Sequence, residues 1–321
     1  MKKTGVTAFG EILVDMLPEQ SPKPDLMFFS ANAGGAPANV AVAVARLGVP
    51  SAFIGKTGRD AFGEYLRKIL ADNGVDVTGL VTDPWAPTTE ALVSLTAAGE
   101  RSFSFYRTGC ADALFRSDEL NTAVIADSKI FHFGSLSMTE EPVLSATRFA
   151  VETARKNGSL ISFDPNYRPT LWTSPEEARN RIESVLGSVD IMKVSEEEAE
   201  WLTGEKSVEK AAAALRTYGI SLVFVTLGAR GAFFSGKKAE GSVQSPDICC
   251  VDTTGAGDSF FGAVLASLSR FNKEEIKNGL DKSILEKMTF YANCAATLTV
   301  SRKGAIPALP TESEVKTFFK M

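Results

Sequence analysis

The segment Val251-Asp252-Thr253-Thr254-Gly255-Ala256-Gly257-Asp258-Ser259-Phe260-Phe261-Gly262 carries groups that can do chemistry together. It predicts a helix opening at Ala256 after an expected strand near Ile248 to Val251, which puts the backbone N–H groups of Gly255, Ala256 and Gly257 at a helix N-terminus. Unpaired N–H donors and the helix dipole make such a terminus an anion site, and glycines let the backbone approach the anion closely. A carboxylate directly after them, Asp258, repels a resting phosphate and makes better sense as a base. It can take a proton from an alcohol while that oxygen attacks a phosphorus atom whose charge the N–H groups hold. The run reads alternatively as a glycine-rich turn capped by Asp258.

A second pair of glycines, Gly34 and Gly35, precedes Ala36-Pro37-Ala38-Asn39 and a helix that is otherwise nearly all Ala and Val. Asn39 interrupts that apolar face and must find hydrogen bonds if it is buried. Asp15 ends the first expected strand. An Asp and an Asn suit a polyol, accepting from and donating to adjacent hydroxyls, while each taken singly reads equally well as a cap or turn residue. Gly55-Lys56-Thr57 is not a phosphate loop of the GxxxxGK[ST] type, because Pro50 stands where the first glycine belongs. Gly58 and Asp60 read instead as a strand-to-helix turn with an Asp cap. No GxGxxG follows a strand, so a dinucleotide fingerprint is absent.

Short β-branched runs alternate with helical segments, the pattern of βα units around a parallel sheet. Strands are expected at Val6 to Val14, Ser51 to Ile54, Ile130 to Phe133, Leu160 to Phe163, Ile191 to Val194 and Leu222 to Thr226. Helices are expected at Pro37 to Leu47, Asp60 to Asn73, Glu141 to Asn157, Pro175 to Leu186, Ala256 to Ser269, around Leu285 to Val300, and from Glu312. One stretch breaks the rhythm. Thr88 to Thr96 and Arg101 to Arg107 alternate apolar and polar residues about Ala97-Ala98-Gly99-Glu100, which predicts an antiparallel hairpin. With Phe28 to Ala31 as a third strand it forms a small sheet that serves as a lid; the alternative is a hairpin extending the edge of the central sheet.

The chain has 321 residues, 34 basic and 39 acidic, for a formal net charge of −5, so nothing favours a nucleic-acid partner. No apolar run approaches the roughly 20 residues that cross a bilayer, and no secretory signal is expected after Lys2 and Lys3. Cys110, Cys249, Cys250 and Cys294 lack CxxC spacing, which fits a reducing cytoplasm and leaves no zinc cage. The single histidine, His132, lies in the strand-like Ile130-Phe131-His132-Phe133 and reads as a packed residue rather than part of a Ser-His-Asp machine.

Taken together, the segments resemble the PfkB, or ribokinase-like, family of sugar kinases. Gly34 to Asn39, Phe53 to Lys56 and Gly58 to Gly63 are similar to its N-terminal signature, and Asp252 to Asp258 to its DTxGAGD signature. Gly99-Glu100-Arg101, Phe105-Tyr106-Arg107, Asp164 to Arg168, Lys193-Val194-Ser195, Val225 to Gly228 and Lys303 to Pro310 resemble its fructokinase branch.

The resemblance implies a three-layer α/β/α fold with a mostly parallel central sheet. It implies one domain over residues 1–321, with a small β-sheet lid from about 16–33 and 87–109. It implies ATP-dependent phosphorylation of D-fructose at its terminal hydroxyl, with ribose, a nucleoside or a keto-deoxy sugar acid as alternative substrates. A non-catalytic sugar or nucleotide sensor is the alternative from another class. By the same resemblance Asp258 is the base and Gly255, Ala256 and Gly257 form the anion hole. Asp15, Gly34, Gly35, Asn39, Arg107 and Arg168 contact the sugar or the transferring phosphate, Arg107 as a cation delivered by the closing lid. Lys193, Ser195, Thr226, Leu227, Gly228, Ala229, Arg230, Gly231 and Asn293 surround the nucleotide. Asp252, Thr254, Thr299, Arg302, Gly304 and Ala308 hold a monovalent cation, K⁺ or Na⁺, mostly through backbone carbonyls. The family's NxxE run near Mg²⁺ is here Ser195-Glu196-Glu197-Glu198, which keeps Glu198 for Mg²⁺ through water but puts Ser where Asn is usual. The chain is expected to be a monomer or a homodimer through the lid.

Overall fold

The computed structural model describes residues 2–19, 23, 25–95 and 101–320. The expected turn Ala97 to Glu100 lies outside the described residues, as do the side chains of Leu95 and Phe103 on the hairpin's apolar face. Among the described residues thirteen strands form two sheets: β1 (Thr4–Phe9), β2 (Leu13–Glu19), β3 (Phe28–Gly34), β4 (Ser51–Gly58), β5 (Val75–Asp83), β6 (Glu90–Leu95), β7 (Arg101–Tyr106), β8 (Ser128–Gly134), β9 (Leu160–Asp164), β10 (Ile191–Ser195), β11 (Leu222–Thr226), β12 (Ala232–Gly236) and β13 (Glu240–Val243). The larger sheet runs β13-β12-β11-β10-β9-β8-β1-β4-β5. It is parallel from β11 to β5 and antiparallel only where β12 and β13 join.

Period-two alternation sends neighbouring residues to opposite faces. Phe131, Phe133 and Phe163 pack with Ala146, Ala150, Ala178 and Ile182 of the Val143–Lys156 and Pro175–Leu186 helices. Ile130, Leu160, Leu222 and Phe224 pack on the other face with Phe260, Phe261, Leu285 and Ala292 of the Ala256–Leu268 and Lys282–Val300 helices. Two such faces give the three layers, and parallel strands buried on both sides explain the nearly continuous apolar runs.

The expected hairpin belongs to a separate sheet, β3-β2-β6-β7, and does not extend the large one. Two expectations are corrected. The run Val6 to Val14 is not one strand, because the chain leaves the large sheet after Phe9 and enters the small sheet at Leu13. Both sides of that crossing are apolar and β-branched, and Gly10-Glu11 is the interruption that marks the change of sheet. No strand forms at Ile248 to Val251 either. There the amides of Val251 and Asp252 donate to the Val300 carbonyl at 2.7 and 3.1 Å, tying the segment to a helix C-terminus.

Candidate functional site

Two helices bring the sequence motifs together. Ala36–Arg46 and Ala256–Leu268 both begin at one cavity, and they cross closely because Gly262 has no side chain: an added Cβ would stand 2.5 Å from that of Ala43. That approach lets Asn39 Nδ2 donate to Asp258 Oδ2 at 2.7 Å. Gly255 begins the second helix at φ 77, where an L side chain is strained, and no side chain caps that terminus. The cavity, about 770 Å³, is lined by Asp15, Gly35, Asn39, Arg168, Lys193, Ser195, Thr226, Asp252, Thr254, Gly255, Gly257 and Asp258 among others. Burial raises the Asp258 pKa to about 6, against the Asn39 amide and the charges of Lys193 and Arg168, which lower it. A carboxylate so poised is ionised at neutral pH and still basic enough to take a proton.

Lys193, on β10, reaches across to Asp164 at the end of β9, Nζ to Oδ2 2.9 Å. Burial works against its charge, but Asp164, Glu198 and Asp258 hold its pKa above the ordinary value. Asp164 Oδ1 also accepts from the Asn166 amide at 3.1 Å, in a turn where Asn166 takes the left-handed φ of 43. Two residues on, Arg168 points its charge toward the cavity and lowers the Asp258 pKa. Ser195 caps the Glu196–Thr203 helix, its hydroxyl accepting from the Glu198 amide at 3.1 Å while Glu198 Oε2 accepts the Ser195 amide at 2.8 Å. Glu198 Oε1 takes the Tyr167 amide at 2.7 Å. Burial raises the Glu198 pKa against the charge of Lys193.

Behind the glycines, Asp252 Oδ1 and Oδ2 accept from the amides of Thr254 and Gly304 at 2.8 and 2.9 Å. Thr299 Oγ1 donates to Ser259, and the Thr299 carbonyl accepts from the Arg302 amide. The Ile306–Ala308 turn closes the loop, and its neighbour Ala305 lies against Gly255. The small sheet covers this corner: Asp15, Leu17, Asn32 and Val93 share a narrow space with Thr254, Gly304 and Ala305.

A buried base, a helix terminus open to an anion and a polar cavity are the parts of a phosphoryl-transfer site. The family model described as pfkB family carbohydrate kinase matches residues 3–312. The chain belongs to this family. Probable fructokinase-3 of Arabidopsis thaliana is 45% identical over 98% of this chain and 91% of its own length. Among solved structures, fructokinase from Xylella fastidiosa with bound ATP superposes with a TM-score of 0.91 at 35% identity, covering 100% of this chain and 99% of that one. A fructokinase double mutant from Vibrio cholerae O395, in its fructose-, ADP- and potassium-bound form, gives 0.87 at 33% identity over 99% and 98%. The family and the α/β/α fold expected from the motifs are both borne out.

Some family-matched positions stand apart from the cavity. Arg107 is not a free cation carried on the hairpin: it follows β7, is 4% exposed, and its Nε pairs with Asp112 Oδ2 at 2.7 Å. Its Nη1 donates to Thr139 at 2.6 Å and approaches Glu140 at 3.3 Å. Asn293 is buried on the Lys282–Val300 helix and spends its amide on the carbonyls of Val243 and Gln244, at 2.9 and 3.3 Å. Of Thr226 to Gly231, only Thr226 lines the cavity; Leu227 to Gly231 form the turn into β12, and Arg230 pairs with Glu196. Gly34 closes β3 beside the Asp15 carboxylate. His132 is buried, 3.1 Å from Ser162 Oγ and edge-on to Phe261, and burial lowers its pKa to about 3.

Other cavity residues were given no role by the sequence: Glu11, Leu13, Leu136 and Cys250 line the wall, and of the matched segment Asp164 to Arg168, Asn166 lines it too while Asp164 anchors Lys193 behind it. The alternation of Asp164-Pro165-Asn166 with a strand end was a usable signal, since Asp and Asn favour such turns. Glu11 offered one as well, a single charge inside an otherwise apolar run that must find a partner if buried.

The donor set fits Mg²⁺ held mainly by phosphates and water. No cluster of three His, Cys, Asp or Glu side chains forms a metal cage among the described residues, and both Glu198 oxygens already accept a backbone N–H while keeping further lone pairs. The buried Asp252 carboxylate, surrounded by backbone turns, fits a monovalent cation in the same way.

Proposed function

We propose that the protein is an ATP-dependent fructokinase that phosphorylates D-fructose on its terminal hydroxyl to give fructose 6-phosphate. The observation that carries this reading is Asp258, a buried carboxylate with a pKa near 6 at a helix N-terminus, hydrogen-bonded to an Asn in a polar cavity. Fructokinases that match along the whole chain support the choice of sugar.

Asn39 and Asp15 orient the sugar hydroxyls, with Gly35 giving them room. Asp258 accepts the proton of the terminal hydroxyl as its oxygen bonds to the γ-phosphorus and the bond to the ADP oxygen breaks. The N–H groups of Gly255, Ala256 and Gly257 stabilise the charge on the transferring group, and Arg168 adds a cation. Lys193 and Asp164 fix the floor, and Ser195 and Thr226 meet the nucleotide side. Glu198 would hold Mg²⁺ through water, which would supply charge to neutralise the phosphates, and Asp252 with its loop would hold K⁺ or Na⁺, which would order the loop behind the anion hole.

On this reading the small sheet is the lid of a single domain, and it excludes water when closed. Exposed Leu26, Met27 and Phe28 on its border make pairing of two chains through the lid a matter for sedimentation. A cytoplasmic setting agrees with four free thiols and with the finding that no helix among the described residues is long and apolar enough to cross a membrane. The deciding assay measures ADP release with a panel of sugars. Fructose is expected to give the highest kcat/KM, and preference for ribose, a nucleoside or a sugar acid overturns the substrate.

A further inference from the structure

Glu11 sits in the short link between β1 and β2, where the chain passes from the large sheet to the small one. Its side chain is 3% exposed, and it lines the cavity beside Gly35, Ala36 and Asn39. Oε1 accepts the Ala36 amide at 3.0 Å, at the first turn of the helix that carries Asn39. Asn39 lies one turn further along that helix, and both it and Glu11 line the cavity.

Oε2 of Glu11 is buried without a hydrogen-bond partner. A buried polar oxygen left unpaired is costly, and native proteins rarely keep one without a use. Eight such side-chain atoms occur among the described residues, and two of them, Glu11 Oε2 and Asn39 Oδ1, belong to this one cavity wall. A carboxyl serving only to cap the helix needs one oxygen; the second calls for a ligand. We propose that Glu11 binds a hydroxyl of the sugar through Oε2, next to Asn39, and so helps to select the sugar. The inference rests on the reading of this cavity as a sugar kinase site.

The charged groups facing Glu11 are Asp112 and Arg107, already paired with each other. Burial raises the Glu11 pKa to about 8, with Asp112 adding to the rise, while its own backbone N–H, Arg107 and the Ala36 amide oppose it. At neutral pH the group is therefore a carboxylic acid, able both to donate to and to accept from a hydroxyl.

The test is steady-state kinetics of Glu11→Leu and Glu11→Gln beside the wild type, with thermal melting to establish folding. Leu is expected to raise the KM for fructose about tenfold and leave the KM for ATP unchanged. Gln, which keeps polar atoms on both sides, holds the fructose KM within about threefold of wild type. In the wild type the fructose KM rises above pH 8 as the acid ionises, and in Glu11→Gln it stays flat. A folded Glu11→Leu enzyme with wild-type fructose KM overturns the inference, as does an equal rise in both KM values. If Glu11→Leu does not fold, a Glu11→Gln profile identical to wild type overturns it. A wild type inactive on fructose overturns the substrate reading as well; an active wild type with an unaffected Glu11→Leu overturns this inference alone.

Discussion

Two buried clusters of charge meet at the cavity, and they are built alike. In one, Lys193 pairs with Asp164 at 2.9 Å and leaves Asp258 as a second acid; in the other, Arg107 pairs with Asp112 at 2.7 Å and leaves Glu11. Burial raises the pKa of each remaining acid, to about 6 for Asp258 and about 8 for Glu11. The difference lies in the company. Asp258 receives the Asn39 side-chain amide and feels two cations, Lys193 and Arg168, against one acid, Asp164, whereas Glu11 has only backbone N–H groups and feels one acid, Asp112, against one cation, Arg107. One acid is thus ionised at pH 7 and the other protonated, so equivalent burial yields a base in one place and a hydrogen-bond donor in the other.

The sharpest way to break this comparison is to remove the ionised member. Asp258→Ala is expected to lower kcat by about a thousandfold while ATP binding, measured by calorimetry, persists. In the wild type, kcat/KM for fructose rises as pH increases through about 6, because the base must lose its proton first. An Asp258→Ala enzyme with near-normal turnover removes the base from Asp258.

A smaller effect is expected from Lys193→Met. Lys193 is one of the charges that hold the Asp258 pKa down, so its loss moves the rising limb of the pH profile upward by about one unit, with turnover falling about fivefold at pH 6 and about twofold at pH 7. A limb that stays near 6 shows that Asn39 and Arg168 alone set the base.

These clusters were only partly legible in the sequence. Asp258 and its glycines were, because a glycine-rich helix start followed by an acid is a local pattern with a local meaning. Asn39 was legible as a polar residue on an apolar helix face, but its bond to Asp258 spans 219 positions and depends on the missing side chain of Gly262. The large sheet was readable from its buried runs, whereas β5, β12 and β13 toward its borders were not: β5 mixes buried and exposed residues irregularly, β12 is buried but only five residues long, and β13 is four residues with none buried. Glu11 was passed over because the apolar runs on both sides of Gly10-Glu11 read as one strand. Arg107 shows the same limit: its residue type gives its charge, but only the fold brings Asp112, Thr139 and Glu140 around it.

The mildest expected effect on turnover belongs to Arg107→Met, and it separates the two clusters most cleanly. Removing one member of a buried pair leaves Asp112, itself 4% exposed, without its counter-charge, at a cost of about 3 kcal/mol. The expected result is a lower urea midpoint with unchanged denaturant slope, while the folded enzyme keeps its limb near pH 6 and its turnover at that pH within about twofold. The two acids respond in opposite senses to their neighbours: losing Lys193 changes the chemistry because Asp258 must ionise, whereas losing Arg107 only favours the proton that Glu11 already holds. A large fall in kcat with an unchanged urea midpoint reverses this assignment, since it makes Arg107 a cation that reaches the transferring phosphate and leaves Asp112 only to guide it there.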